Sequence, residues 1–201
     1  ATFDLEKITF RRRDGDIDTQ LEITVSSEDD VEVRRLTVTN RGAQAREVEV
    51  TSYVEVVLGR PEDDLAHPAF GKLFIETEFD SQSAGILFSR RPRSADEAAT
   101  WAFHVLGVEG RLGGAVEGET DRARFLGRGR SPANPASLEG RALSGTTGAV
   151  LDPIAAIRDR VRLAPGAFTR ITFVTGVAPS RDEAITLGRK YRDGSIAARA
   201  F

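Results

Sequence analysis

Valines 48, 50, 54 and 56 fall on one side of a two-residue repeat, while Glu47, Glu49, Thr51 and Glu55 fall on the other. Successive strand side chains point to opposite faces, so this pattern predicts a strand with one buried and one solvated face. The preceding segment VEVRRLTVTN (31–40) is rich in β-branched residues, and RGAQA places Gly42 at a turn, which predicts a hairpin between the two segments. The same grammar recurs in LEITVS (21–26), KLFIETEF (72–79), GILFSR (85–90), WAFHVLGVEG (101–110) and AVEGET (115–120). A last hairpin is predicted between IRDRVRL and FTRITFVTGV through Ala164, Pro165 and Gly166. Helix signals are few. Ser94 with Glu97 and Ser180 with Glu183 have capping-box spacing, and the second opens a stretch where Ala184, Leu187 and Tyr191 share a stripe. Many strands with one or two short helices predict an all-β fold, a large two-sheet antiparallel β-sandwich. The least regular stretch, residues 127–148, is expected to be a long loop or an excursion, and loops of that length tend to be functional or disordered.

Composition narrows the class. With 201 residues and 40% hydrophobic content the chain can bury a core as one large domain. No apolar run approaches the roughly 20 residues that span a bilayer, and the start at Ala1 has no signal-peptide pattern. The lack of cysteine excludes disulfides and fits a reducing compartment. Lysine and arginine total 28 against 31 acidic residues, a formal charge of −3 that argues against a general nucleic-acid binder. Basic residues do cluster at Arg11–Arg13, at Arg90, Arg91 and Arg93, and along 122–130; the first two groups read as solvated loop ends. The chain has no methionine and opens on a strand-like segment, so both ends read as boundaries within something longer.

Few residues carry recognisable chemistry. Two histidines and no cysteine fall short of the ligands zinc requires, so no metal and no cofactor are expected. Asp14, Asp16 and Asp18 space carboxylates as some calcium loops do, but Thr19 and Val25 stand where an EF-hand needs Gly and Glu. A charged hairpin turn around Asp14 and Gly15 is the better reading. Asp63, Asp64, Glu76 and Glu78 offer carboxylates without a glycosidase pattern, and GRGR (127–130) does not complete a dinucleotide-binding fingerprint. Two groups that mix aromatic and basic residues remain: His67, Phe70 and Lys72, and Arg122, Arg124, Phe125 and Arg128. Such residues can cover a sugar's apolar face and bond its hydroxyls or a phosphate; alternatively Phe70 and Phe125 are core anchors with solvated neighbours. Trp101, Phe103 and Val105 share a face and read as core, with His104 on the other face.

Four segments, TSYVEVVL from Thr51, DLAHPAFGKLFIETEF from Asp64, ETDRARFLGRGR from Glu119 and LSGTTGAVLDP from Leu143, resemble the β-sandwich module of the family ninety-four glycoside phosphorylases. The resemblance is strongest to the version in bacterial cyclic β-1,2-glucan synthases and runs from about Asp14 to Asp193. It implies a supersandwich of the galactose-mutarotase-like type over residues 1–179, with 180–201 starting a linker helix toward an (α/α)₆ barrel that holds the catalytic acid and the phosphate site. The module would then be no enzyme on its own. Its partners would be a β-glucan oligosaccharide and that barrel, with two copies pairing as in related phosphorylases and no nucleic acid involved. The parent protein would lie in the bacterial inner membrane, with this soluble piece on the cytoplasmic side. Related cellobiose-type enzymes carry an NFQR loop whose arginine reaches toward the acceptor sugar; here AFGK aligns Phe70 and Lys72 with its Phe and Arg. Gly71 replaces the glutamine, and lysine puts a point charge where the family has a planar fork. A free-standing carbohydrate-binding module and a structural spacer are the alternatives.

Overall fold

A computed structural model describes residues 1–80, 83–92, 94, 97–109 and 115–201. Among them are thirteen strands: β1 (Thr2–Phe3), β2 (Ile8–Asp14), β3 (Ile17–Val25), β4 (Val31–Asn40), β5 (Arg46–Thr51), β6 (Val54–Glu55), β7 (Ile75–Asp80), β8 (Gly85–Arg90), β9 (Thr100–Glu109), β10 (Glu117–Asp121), β11 (Gly148–Ala149), β12 (Pro153–Leu163) and β13 (Phe168–Ala178). Five short helices are described where one or two were expected: α1 (Pro61–Ala66), α2 (Pro68–Lys72), α3 (Arg122–Leu126), α4 (Arg181–Arg192) and α5 (Gly194–Ala198). All strand pairs are antiparallel. One sheet has the order β1-β2-β3-β4-β13-β9-β8-β7-β11; the other runs β10-β12-β5, with β6 also on β12. The chain is therefore the two-sheet sandwich its strand pattern predicts.

Two expected hairpins are not hairpins. β4 pairs with β3 and β13, whereas β5 pairs with β12 in the other sheet. Likewise β12 and β13 lie in different sheets. Both connections are corners at which the chain changes sheet, and both meet at Asn40, which is fully buried. The Asn40 side-chain amide donates to the carbonyls of Gln44 (2.8 Å), Leu163 (3.2 Å) and Ala164 (3.2 Å), and its oxygen accepts from the Gly42 N–H (3.0 Å). Its backbone N–H donates to the Ala167 carbonyl, and its carbonyl accepts from the Gly166 N–H. A strand that leaves its sheet abandons its ladder partners, and buried backbone groups must then be satisfied otherwise. One asparagine does this for both corners. The β2–β3 connection is a true hairpin, with Gly15 at φ +58, and the three nearby aspartates pair with Arg12, Arg13, Arg41 and Arg46.

The inter-sheet core gathers Ile75, Ile86, Phe88, Leu106, Ile157, Ile171 and Phe173, with Val48, Val50 and Val54 packed against it from β5 and β6. Within it His104 stacks on Phe173 at 5.9 Å and shares hydrogen bonds of 2.8 Å with Thr175 and Ser52. The outer face of the nine-stranded sheet is also covered. Val33, Leu87, Phe103, Val105 and Val174 pack under Ala184, Tyr191 and Ala197 of α4 and α5, with Trp101 and Leu187 at the margin. Gly107 permits this: a Cβ there would come within 2.7 Å of the Arg192 carbonyl. Ser180 caps α4 by accepting the Glu183 N–H, and Asp29 ties the helix down through Lys190 (2.6 Å) and Tyr191 (2.7 Å). At the other predicted capping box, Ser94 and Glu97 form bends and residues 95 and 96 lie outside the described residues, as do Arg93 and Gly110.

Candidate functional site

Between β6 and β7 the chain makes two single-turn helices, each opened by a proline. Pro61 and Pro68 occupy first-turn positions, where a missing N–H costs nothing, and the acidic run Glu62–Asp64 favours the N-terminus of α1. His67 ends one helix and begins the next, at φ −146 and ψ 64. The strand expected from Lys72 thus starts only at Ile75, because residues 68–72 are helical. Neither helix buries a residue; Leu65 is 85% exposed and Phe70 54%.

This excursion is held at its base. Arg90, read from sequence as a solvated loop end, is buried; its guanidinium donates to the Gly71 carbonyl (3.2 Å) and lies 5.8 Å over the Phe74 ring. Phe74 meets Phe70 edge-on at 5.3 Å. From α2, Lys72 donates to Asp152 at 2.6 Å, and Asp152 lies 3.6 Å from Arg122. Arg122 in turn donates to the Tyr53 hydroxyl (3.0 Å) and to Glu55 (3.1 Å), and Tyr53 donates to Glu55 at 2.8 Å. The Tyr53 hydrogen bond, with Arg122, holds Glu55 below the usual carboxylate range; burial and Glu55 push the Tyr53 hydroxyl up. Two cations and two carboxylates therefore alternate across four chain segments.

Lys72 and Arg122, far apart in sequence and members of different candidate groups, are thereby joined through one carboxylate. α3 accounts for the placement of the rest. Asp121 caps it by accepting the N–H groups of Ala123 and Arg124, and Phe125 and Leu126 anchor its other side in a small core with Leu143 and Ile154. Phe125 is thus a core residue, 5.2 Å from Tyr53. Arg124 and Arg128 are exposed and stand apart from the cluster, Arg124 lying 3.7 Å from Asp121. His67 and Phe70 are exposed on the excursion. Tyr53, Glu55, Asp152 and Arg90 are not among the candidate site residues; the sequence pattern assigns Glu55 to a solvated strand face and Arg90 to a solvated loop end. Three of them lie inside TSYVEVVL and LSGTTGAVLDP, so those segments held the missing signal.

The 127–148 stretch is the long loop expected, almost without regular secondary structure, and it is pinned by buried polar groups. Arg158 is 1% exposed and donates to Thr51 (3.0 Å), to the Arg141 carbonyl (2.7 Å) and to the Ser137 carbonyl. Glu119, also buried, accepts from the N–H groups of Thr120 and Asp121 and from Ser144. The arrangement supplies an exposed ring on a short helix whose Lys72 is tied into an internally neutralised cluster. Such a surface can bind and position a polar ligand with apolar faces.

The profile of the glycosyl hydrolase 94 supersandwich domain matches residues 1–194. The chain is 38% identical over 178 residues to the cyclic beta-(1,2)-glucan synthase NdvB of Rhizobium meliloti (strain 1021). That match covers 88% of this chain and only 6% of the relative. Among solved structures, a polysaccharide lyase superposes with a TM-score of 0.50 at 11% identity, over 92% of this chain and 23% of its own. A candidate kojibiose phosphorylase from the human microbiome gives 0.50 at 8% identity, over 96% and 22%. These two speak for the fold alone.

Proposed function

The chain belongs to the glycosyl hydrolase 94 supersandwich family, and from that premise we propose that it is a non-catalytic accessory domain of a cyclic β-1,2-glucan synthase-like glycosyltransferase or phosphorylase. In this reading it docks on a helical barrel elsewhere in a longer polypeptide and shapes the acceptor side of the glucan site. The parent is anchored in the bacterial inner membrane by other segments, with this domain on the cytoplasmic side; no helix of the described residues is long and apolar enough to cross a membrane. The observation that carries the proposal is the exposed Phe70 on α2, the helix that the Lys72–Asp152–Arg122–Glu55 cluster ties to the sandwich. A cluster that costs this much ordering of long side chains is worth keeping where it fixes the helix that carries the ring.

Lys72 plays a different part from the one its alignment suggests. Its ammonium is spent on Asp152 with the side chain 16% exposed, so the sugar-facing roles fall to the exposed Phe70 and His67, and Lys72 positions. Acceptor kinetics of the longer enzyme test this. Phe70→Ala lowers kcat/KM for a β-1,2-gluco-oligosaccharide acceptor roughly tenfold, about 1.4 kcal/mol, while the isolated 201-residue protein binds the same sugar poorly. Unchanged acceptor kinetics would overturn the proposal in favour of a spacer. Binding by the isolated chain at a Kd of about 1 mM or tighter, abolished by Phe70→Ala, would make it an autonomous binding module.

A further inference from the structure

The two sheets differ in width, and the difference leaves an apolar surface beside a free strand edge. Directly paired residues of neighbouring strands share a face, so rows can be followed from the core outward. One row runs from Ile171, buried between the sheets, through Leu36 and Leu21 to Phe10. The next runs from Phe173 through Arg34 and Ile23 to Ile8. Ile171 is fully buried, whereas Phe10 is 43% exposed, and Val25 on the same face is 69% exposed. The smaller sheet, which covers the inner ends of these rows, stops at β5. A cavity of about 200 Å³ opens there between Val50, Leu21 and Leu36.

β5 itself pairs only with β12; among the described residues no strand pairs with its other side. The opposite margin of that sheet is treated differently. There the Gly145 N–H donates to the Gly118 carbonyl of β10 (3.0 Å) and the Leu143 N–H to Glu117 (2.9 Å), so a loop closes the edge. An uncovered edge strand is a ready template for another strand.

The outer face adds charge to the specification. Arg160 of β12 lies between Glu117 on β10 (3.6 Å) and Glu49 on β5 (2.6 Å), and Arg162 pairs in register with Glu47. Sign alternates from strand to strand and ends on two glutamates at the free edge. A strand continuing the series has Lys or Arg outward and apolar residues inward, over Leu21, Leu36 and Phe10.

We propose that an extended segment of the longer polypeptide, alternating basic and apolar residues, adds to β5 and closes the sandwich over β2 and β3. At about 4.8 Å between strands, one or two strands cover this width. The proposal rests on the reading above only in taking this chain as one domain of a longer protein.

Amide exchange followed by mass spectrometry, on the 201-residue protein and on the longer polypeptide, tests it. The β5 amides exchange at least tenfold more slowly in the longer chain, and E47K/E49K in that chain removes the protection. Equal β5 exchange in both proteins overturns the proposal. Protection already present in the 201-residue protein and rising with concentration also overturns it, since a second copy then occupies the edge. Failure of the glucan reading is visible separately: Phe70→Ala kinetics can be unaltered while β5 is still protected.

Discussion

Asn40 shows how much one buried side chain can decide. Its amide serves two corners at once, so Asn40→Ala removes the donors to the carbonyls of Leu163, Ala164 and Gln44 and the acceptor of the Gly42 N–H, and of these contacts the one to Leu163 is buried. Each unsatisfied buried group costs about 1–3 kcal/mol. Urea denaturation of Asn40→Ala should show a loss of about 2–4 kcal/mol, and Asn40→Asp should be no better, because a carboxylate accepts but cannot donate. Arg158 makes the complementary point. In IRDRVRL the arginines at 158, 160 and 162 alternate onto one face of the strand; Arg162 is exposed and Arg160 half-buried. Arg158 alone is buried, because the 127–148 loop folds back over it and its carbonyls take the guanidinium's protons. Alternation in sequence reports which face a residue takes, not what later covers that face.

Among elements, the α1–α2 excursion is the part that stands away from the core and depends on few ties. Arg90→Met keeps the buried stem but removes the donor to the Gly71 carbonyl. Amides of residues 61–73 should then exchange tenfold or more faster, while the melting temperature of the whole domain falls by only a few degrees, about the effect of 1 kcal/mol. An unchanged exchange rate would mean that Lys72 and Phe74 suffice to hold it. The strands were legible because period-two patterning is set by residues within each strand: β8 and β4 match the expected segments from end to end. The two corners were not, since a turn between strands of one sheet and a turn between sheets have the same local composition. What separates them is Asn40 and its distant partners. The candidate cluster was half legible for the same reason: Lys72 and Arg122 have suggestive neighbours in sequence, whereas Asp152, which joins them, is an ordinary aspartate until the fold brings it there.

For the molecule as a whole, acid should be destabilising in two stages. Burial, with Arg34 nearby, pushes His104 down to about 3 from its ordinary 6.5, so it stays neutral in the fold while the unfolded chain takes up a proton below 6.5. The stability this histidine contributes is complete above 6.5 and falls as pH drops toward 3, at up to about 1.4 kcal/mol per pH unit. Hydrogen bonds from Lys190 and Tyr191 hold Asp29 below the usual carboxylate range, and Glu22, despite the burial that raises it, is held low by Lys7 and Arg35. Their contribution is present above about pH 4 and is lost as pH falls further. Chemical denaturation between pH 6.5 and 4.5 should show a slope that His104→Gln reduces; an unaltered slope would assign it elsewhere. The sandwich architecture was foreseeable from composition and patterning, but the unequal sheets were not, because strand order depends on pairings between distant segments. β13 joins β4 to β9 within the larger sheet. Before its residues leave the ribosome, strands β1–β4 and the group β9-β8-β7-β11 are two unconnected half-sheets, each with a bare inner edge. Synthesis of this domain therefore passes through a period in which the nascent chain carries sticky edges that β13 mates, and a pause or truncation just before Phe168 would leave an intermediate suited to chaperone capture or aggregation.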